Sequence, residues 1–180
     1  MVMTILYSFK TSLGFFTLNY QNNDLYGITF STEKPFIESE QATTGSHVFN
    51  HLSQIENQIR QYLNGERKQF GLNRHLNWLM GELAHETNDT YGTPFQKKVW
   101  RALITIPYGT VISYSDVAGM IAKPKAIRAV ANAIAANPLL IVVPCHRVIR
   151  KNGRLGGFSA GVDLKRKWIE MEKAVVSHEV

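Results

Sequence analysis

The apolar positions change period along the chain. In "TILYSFKTSLGFFTLNYQNNDLYGITF", aromatic and branched residues are broken by Ser12-Leu13-Gly14 and Asn22-Asn23-Asp24. That pattern predicts a strand meander over residues 3–32. The polar stretch "EKPFIESEQATTGS" is a loop. The spacing then becomes helical. Val48, Leu52, Ile55, Ile59 and Leu63 share one face of a predicted helix that Gly65 stops. Leu76, Leu79, Met80 and Leu83 suggest a second helix within 66–85.

"HETNDTYGTP" is polar and turn-rich, and it separates this region from a mostly helical one. The division predicts two domains, 1–88 and 89–180. A helix opens at Pro94, shows Phe95, Val99, Trp100 and Leu103 on its apolar face, and is over by Pro107. "YGTVIS" is a turn with a short extended piece. Ser113 caps a short helix over 113–122, and a second runs from near Pro124 to Asn137-Pro138. "LLIVV" is predicted as a short buried strand and "VIRKNGRLGGF" as a hairpin turning at Asn152-Gly153. "GVDLKRKWIEMEKA" closes the chain as an amphipathic helix. The fold class is α+β.

Composition narrows the picture. With 180 residues, 44% of them hydrophobic, the chain has enough apolar surface for a core. No apolar run approaches the ~18 residues of a membrane span. The N-terminus lacks the basic leader and apolar core of a signal peptide. One cysteine forms no internal disulfide, which fits a reducing, cytoplasmic setting. Charge is unevenly placed. Residues 91–180 hold 14 Lys/Arg against 5 Asp/Glu, and residues 1–90 hold 6 against 9. A basic half attached to a mildly acidic one suggests a polyanionic partner, though a solvated basic surface explains the charge equally well.

Two helices joined by a tight turn resemble a helix-turn-helix. Their second member, "AIRAVANAIAA", is small or apolar apart from Arg128. Readers of base edges in the major groove carry several long polar side chains. A smooth helix approaches a shallow groove closely, and a lone Arg can insert there. An ordinary core helix with one surface Arg also fits. Cys145 in "VVPCHRVIR" has three readings: a buried inert thiol, a metal ligand, or a nucleophile. One Cys is too few for a thiolate-rich metal site. His47 and His51 share a helix face, but they are read as solvated rather than as ligands. A nucleophile needs a base, for which His146 is adjacent, and an orienting acid, for which Glu170 and Glu172 stand in the last helix. A hydrolase built on Cys145 and His146 is an alternative.

Taken in order, "GTPFQKKVWRAL", "IPYGTVISYSDVA", "RAVANAIAANP", "PCHRVI", "NGRLGGFSAG" and "LKRKWIEMEK" resemble the O6-alkylguanine-DNA alkyltransferases. The resemblance is dense over 92–173 and only general over 1–85. It implies an RNase H-like N-terminal sheet-and-helix domain and a C-terminal domain with a winged-helix-like helix-turn-helix. It implies a stoichiometric, irreversible transfer from O6-alkylguanine in duplex DNA, or from O4-alkylthymine, to Cys145. His146 would be the base acting through water, Glu172 its orienting carboxylate, and Tyr114 the hydroxyl serving guanine N3. Ser159 would meet O6, and Asn137 would tie the turn to the site loop. Arg128 would fill the gap left by the flipped nucleotide. Ala129, Ala131 and Ala133 would offer the smooth groove surface, and Ser115, Lys123 and Lys151 would contact the DNA backbone. The resemblance implies no metal, no cofactor and a monomer. Some relatives bind alkylated DNA without repairing it, but they lack the cysteine. Ala160 departs from the pattern, standing where a glycine or a bulky residue is common.

Overall fold

The structure is a computed structural model that describes residues 4–21, 24–36, 47–72, 75–80 and 91–178. The chain divides into two compact units. The first comprises Met1–Ala84 with Pro138–Leu140, and the second comprises His85–Asn137 with Ile141–Val180.

In the first unit, β1 (Thr4–Lys10), β2 (Phe15–Gln21) and β3 (Asp24–Ser31) form an antiparallel sheet in sequence order. Alternation does what the pleat requires: β2 buries Phe16, Leu18 and Tyr20 and leaves their neighbours partly exposed. The helix α1 (His47–Leu63) buries Leu52, Ile55, Ile59 and Tyr62, whereas Val48 and Leu63 are only partly covered. The expected second helix is a single turn, α2 (Asn77–Met80). The Trp78 indole anchors that turn by donating to the Leu25 carbonyl at 2.9 Å. Leu83, the 37–46 part of the polar loop and the turn at Asn22-Asn23 lie outside the described residues. His51 is not simply solvated: its Nδ1 shares a hydrogen bond with the Tyr20 hydroxyl at 2.9 Å.

Pro138–Leu140 adds one bridge to β3. Ile28 N–H donates to Pro138 at 2.8 Å, and Leu140 N–H donates to Ile28 at 3.4 Å. The strand predicted over 139–143 therefore does not form; past the bridge the chain turns at Ile141, whose φ is 70°. All five residues are buried, and a short apolar run reads the same whether it lies in a strand or in a buried turn.

The second unit holds α3 (Pro94–Ile104), α4 (Tyr114–Met120), α5 (Ile127–Ala135) and α6 (Val162–Ser177). Two short strands, β4 (Ile112–Ser113) and β5 (Val148–Ile149), pair in parallel. Thr93 caps α3 through a capping box with Gln96, and Ser113 caps α4 with Asp116. The Trp100 indole donates to the Ala133 carbonyl at 2.7 Å, fixing α3 to α5. The turn between α4 and α5 passes through Ala122 at φ 56°, and α5 begins at Ile127, three residues after the predicted start. Residues 148–158 are not a hairpin. Only 148–149 are strand, and their partner is β4; a turn around Asn152-Gly153 closes by Arg150 N–H donating to Arg154 at 2.8 Å. Among the described residues no helix is long and apolar enough to cross a membrane.

Candidate functional site

The site is built from the second unit alone. Pro144 ends the buried turn, and Cys145–Arg147 form one turn of 3-10 helix running into β5. The thiol is therefore on a helical turn rather than at a strand end. Cys145 is 3% exposed, yet it lines a cleft of about 670 Å³. Tyr114 from α4, Arg128 and Ala131 from α5, and Phe158 and Ser159 from the following loop share that wall.

Asn137, buried just past α5, directs its amide to two acceptors: the Val143 carbonyl at 2.8 Å and Cys145 Sγ at 3.0 Å. It thus holds the loop and polarises the thiol with one group. Burial pushes the Cys145 thiol up; the Asn137 amide, the charge of Lys165 and local backbone N–H groups pull it down.

Behind the thiol, His146 Nε2 and Glu172 Oε1 are 2.9 Å apart, and both residues are fully enclosed. Burial works to raise the Glu172 carboxyl, but hydrogen bonds from His146 and Arg147, with their charges, outweigh it and hold the carboxyl near about 2. An ionised carboxylate only accepts, so Nε2 carries the proton and Nδ1 keeps the lone pair. Burial also lowers the His146 pKa, opposed by Glu172 and assisted by Arg147 and Lys165. The ring is neutral at rest and can take a proton at Nδ1. Glu170, the other carboxylate of α6 considered from sequence, is exposed.

Three features of this network went unread in the sequence. Arg147 grips Glu172 with Nε at 2.9 Å and Nη2 at 2.8 Å, and spends Nη1 on the Ile106 carbonyl at 2.6 Å. Gly109 N–H donates to Glu172 Oε2 at 3.0 Å. Lys165 lies buried on the same helix face as Trp168 and Glu172. Spacing offered a signal for the last, since 165, 168 and 172 recur at helical intervals with Leu164 and Ile169. Nothing local marked Arg147 as buried.

The remaining expected residues fall in two groups. Tyr114 is half-buried; burial raises its hydroxyl pKa, and Arg150 opposes that. Gly156 has φ +74°, and a Cβ there would lie 2.9 Å from the Tyr114 hydroxyl. Arg128 and Ser159 are exposed on the cleft wall. Ser115 and Lys151 instead line a shallower depression of about 320 Å³ with Ser113, Asp116 and Arg150. Lys123 is exposed in the α4–α5 turn and reaches neither depression. On α5, Ala129 is exposed and Ala131 partly so, but Ala133 is 2% exposed and faces the core. Of the three alanines expected to form a smooth surface, Ala133 is therefore buried, where its carbonyl accepts from the Trp100 indole. Among the described residues no group of three or more His, Cys, Asp or Glu could hold a metal ion.

Residues 94–174 match the family described as 6-O-methylguanine DNA methyltransferase, DNA binding domain. The chain is 47% identical over 120 residues to the inducible methylated-DNA–protein-cysteine methyltransferase of Bacillus subtilis, covering 67% of this chain and 59% of that protein. It is 36% identical over 164 residues to the methylated-DNA–protein-cysteine methyltransferase of Methanosarcina acetivorans, covering 91% and 95%. The crystal structure of Mycobacterium tuberculosis OGT in complex with DNA is similar at a TM-score of 0.75 and 32% identity, over 95% of this chain and 94% of that one. The chain spans little more than half the length of some curated relatives it matches, 59% for the Bacillus protein and 52% for the one from Mycobacterium bovis.

Proposed function

Because the chain belongs to the family of methylated-DNA–protein-cysteine methyltransferases, we propose that Cys145 takes the O6-alkyl group of guanine from duplex DNA and keeps it. The observation that carries this reading is the thiol itself. It lies on the wall of an open cleft, polarised at 3.0 Å by Asn137, with a carboxylate-held imidazole as the next residue.

The α4–α5 pair is read as the helix-turn-helix of a winged-helix-like domain, and the sheet with α1 as an RNase H-like one. The small-residue surface of α5, which includes Ala129 and Ala131, enters the minor groove, and Arg128 replaces the stacking of the extruded base. The flipped base occupies the 670 Å³ cleft. His146 Nδ1 takes the Cys145 proton through a water. The sulfur forms a bond to the alkyl carbon as the C–O6 bond breaks, and its electron pair passes to the guanine. The Tyr114 hydroxyl then supplies the proton guanine needs at N3, while Ser159 hydrogen-bonds O6. Ser115, Lys123 and Lys151 contact the phosphates. O4-alkylthymine presents the same bond to the same sulfur. The thioether has no leaving path, so each molecule reacts once, and the chemistry calls for no cofactor.

Incubation with duplex DNA carrying radiolabelled O6-methylguanine tests this. One label per protein is expected, on Cys145 and absent from Cys145→Ala. Binding without labelling would instead make the protein a damage sensor, and repeated turnover of an ester or amide would make it a hydrolase.

A further inference from the structure

We propose that Lys165 is the positioning cation for the Cys145 thiolate, the charge that stabilises the sulfur anion in place of a permanently protonated His146. The inference rests on the reading of Cys145 as the nucleophile and concerns how its reactive form is held.

Lys165 is 1% exposed, while its neighbours Arg166 and Lys167 face solvent. Its ammonium donates a hydrogen bond to a neutral acceptor, the Val148 carbonyl, at 2.6 Å. Its Nζ also stands 5.9 Å from the ring centre of Phe158, which lines the cleft beside Cys145. A buried ammonium without a carboxylate is costly and calls for a nearby anion. The one acid on the buried face of α6, Glu172, is already held by two guanidinium nitrogens of Arg147, the His146 ring and the Gly109 N–H.

The charges then pair off. Glu172 balances Arg147. An imidazolium at His146 would be opposed by both Arg147 and Lys165, and burial disfavours it further. A thiolate at Cys145 has the opposite relation: Lys165 favours it, and it favours Lys165 in return. Burial holds the Lys165 ammonium down to about 8, and Cys145 is what raises it. The other groups facing the pair are Tyr114 from α4 and Arg150 past β5; neither is an anion that could take Lys165. His146 therefore does not keep the thiol proton: it relays it at Nδ1 through the bridging water to solvent in the cleft, and Lys165 holds the negative charge left on sulfur.

The test is a pH titration of the thiolate by ultraviolet absorbance in the DNA-free full chain. Lys165→Met is expected to raise the thiol midpoint by about one unit or more. Methyl transfer from O6-methylguanine DNA should then slow about tenfold per unit on the acid limb, while its rate at high pH recovers. Lys165→Arg, which keeps the charge, should titrate near the parent. A folded Lys165→Met with an unmoved midpoint overturns the proposal, and so does an Arg variant that behaves like Met, since packing would then explain the loss. Should Lys165→Met not fold, side-chain NMR of Lys165 decides. Its midpoint is expected to fall in Cys145→Ser, and an unchanged midpoint overturns the proposal. A parent protein that titrates as expected but takes no methyl group refutes the function while leaving the Lys165 assignment standing.

Discussion

Glu172 accepts from four donors on three residues, so one carboxylate organises the base, its neighbouring turn and the start of the loop before β4. Its folded pKa near about 2 lies below the ~4.3 of an unfolded glutamate. The stabilisation is thus fully present above about pH 4 and is lost as the pH falls toward 2. Glu172→Gln leaves Arg147 as a buried, uncompensated cation. Removing one partner of such a pair costs about 3–5 kcal/mol. Denaturant unfolding at neutral pH should show that loss, and between pH 4 and 2 the variant should lose less stability than the parent; parallel acid curves would contradict the assignment. Gly156 sets the position of the Tyr114 hydroxyl from the loop side. Its φ of +74° and the 2.9 Å approach to the Tyr114 hydroxyl leave no room for a Cβ. Gly156→Ala adds about 1–2 kcal/mol of backbone strain and displaces Tyr114. Transfer should slow at least about tenfold with Tm only modestly lowered, as read by single-turnover labelling beside thermal melting. A variant of parental rate would mean Tyr114 does not need that position.

The elements differ in how openly the sequence announced them. The first three strands and α1 were legible because one face is buried and the other is not, so period carries the information. Residues 139–143 are buried throughout, and without alternation a strand and an enclosed turn look alike. The start of α5 differs from the sequence pattern because Pro124 suits a first helical turn, whereas here it sits in the turn that Ala122 opens at φ 56°. At the site, Cys145, His146 and Glu172 were legible from residue type and resemblance, but Arg147 and Lys165 were not. Long cations in a basic stretch look solvated until packing shows where their stems lead. Arg128 is exposed on the cleft wall and touches no part of the thiol network. Arg128→Ala should therefore slow repair of duplex DNA at least about tenfold and leave reaction with free O6-benzylguanine nearly unchanged. Equal slowing of both substrates would remove it from the stacking role.

Charge belongs to the molecule as a whole. The C-terminal half carries 14 Lys/Arg against 5 Asp/Glu. Arg147 and Lys165 are consumed inside the site and reach no phosphate. The exposed cations near the two depressions and the α4–α5 turn are Lys123, Lys125, Arg128, Arg150, Lys151 and Arg154. Each that neutralises a phosphate releases a counter-ion, contributing about −0.9 to the slope of log K against log salt on duplex DNA. A folded, unreactive Cys145→Ala protein isolates binding from chemistry. Its affinity for undamaged duplex should fall steeply with salt, with a slope of several units. Lys151→Ala should reduce that slope by about one and weaken binding to damaged and undamaged duplex alike. Lys151 lines only the shallower depression, so the rate of transfer at saturating DNA should stay at the parental value. A slope unchanged in Lys151→Ala would detach the shallow depression from the phosphates. Binding insensitive to salt would show that the basic half is a solvated surface and nothing more.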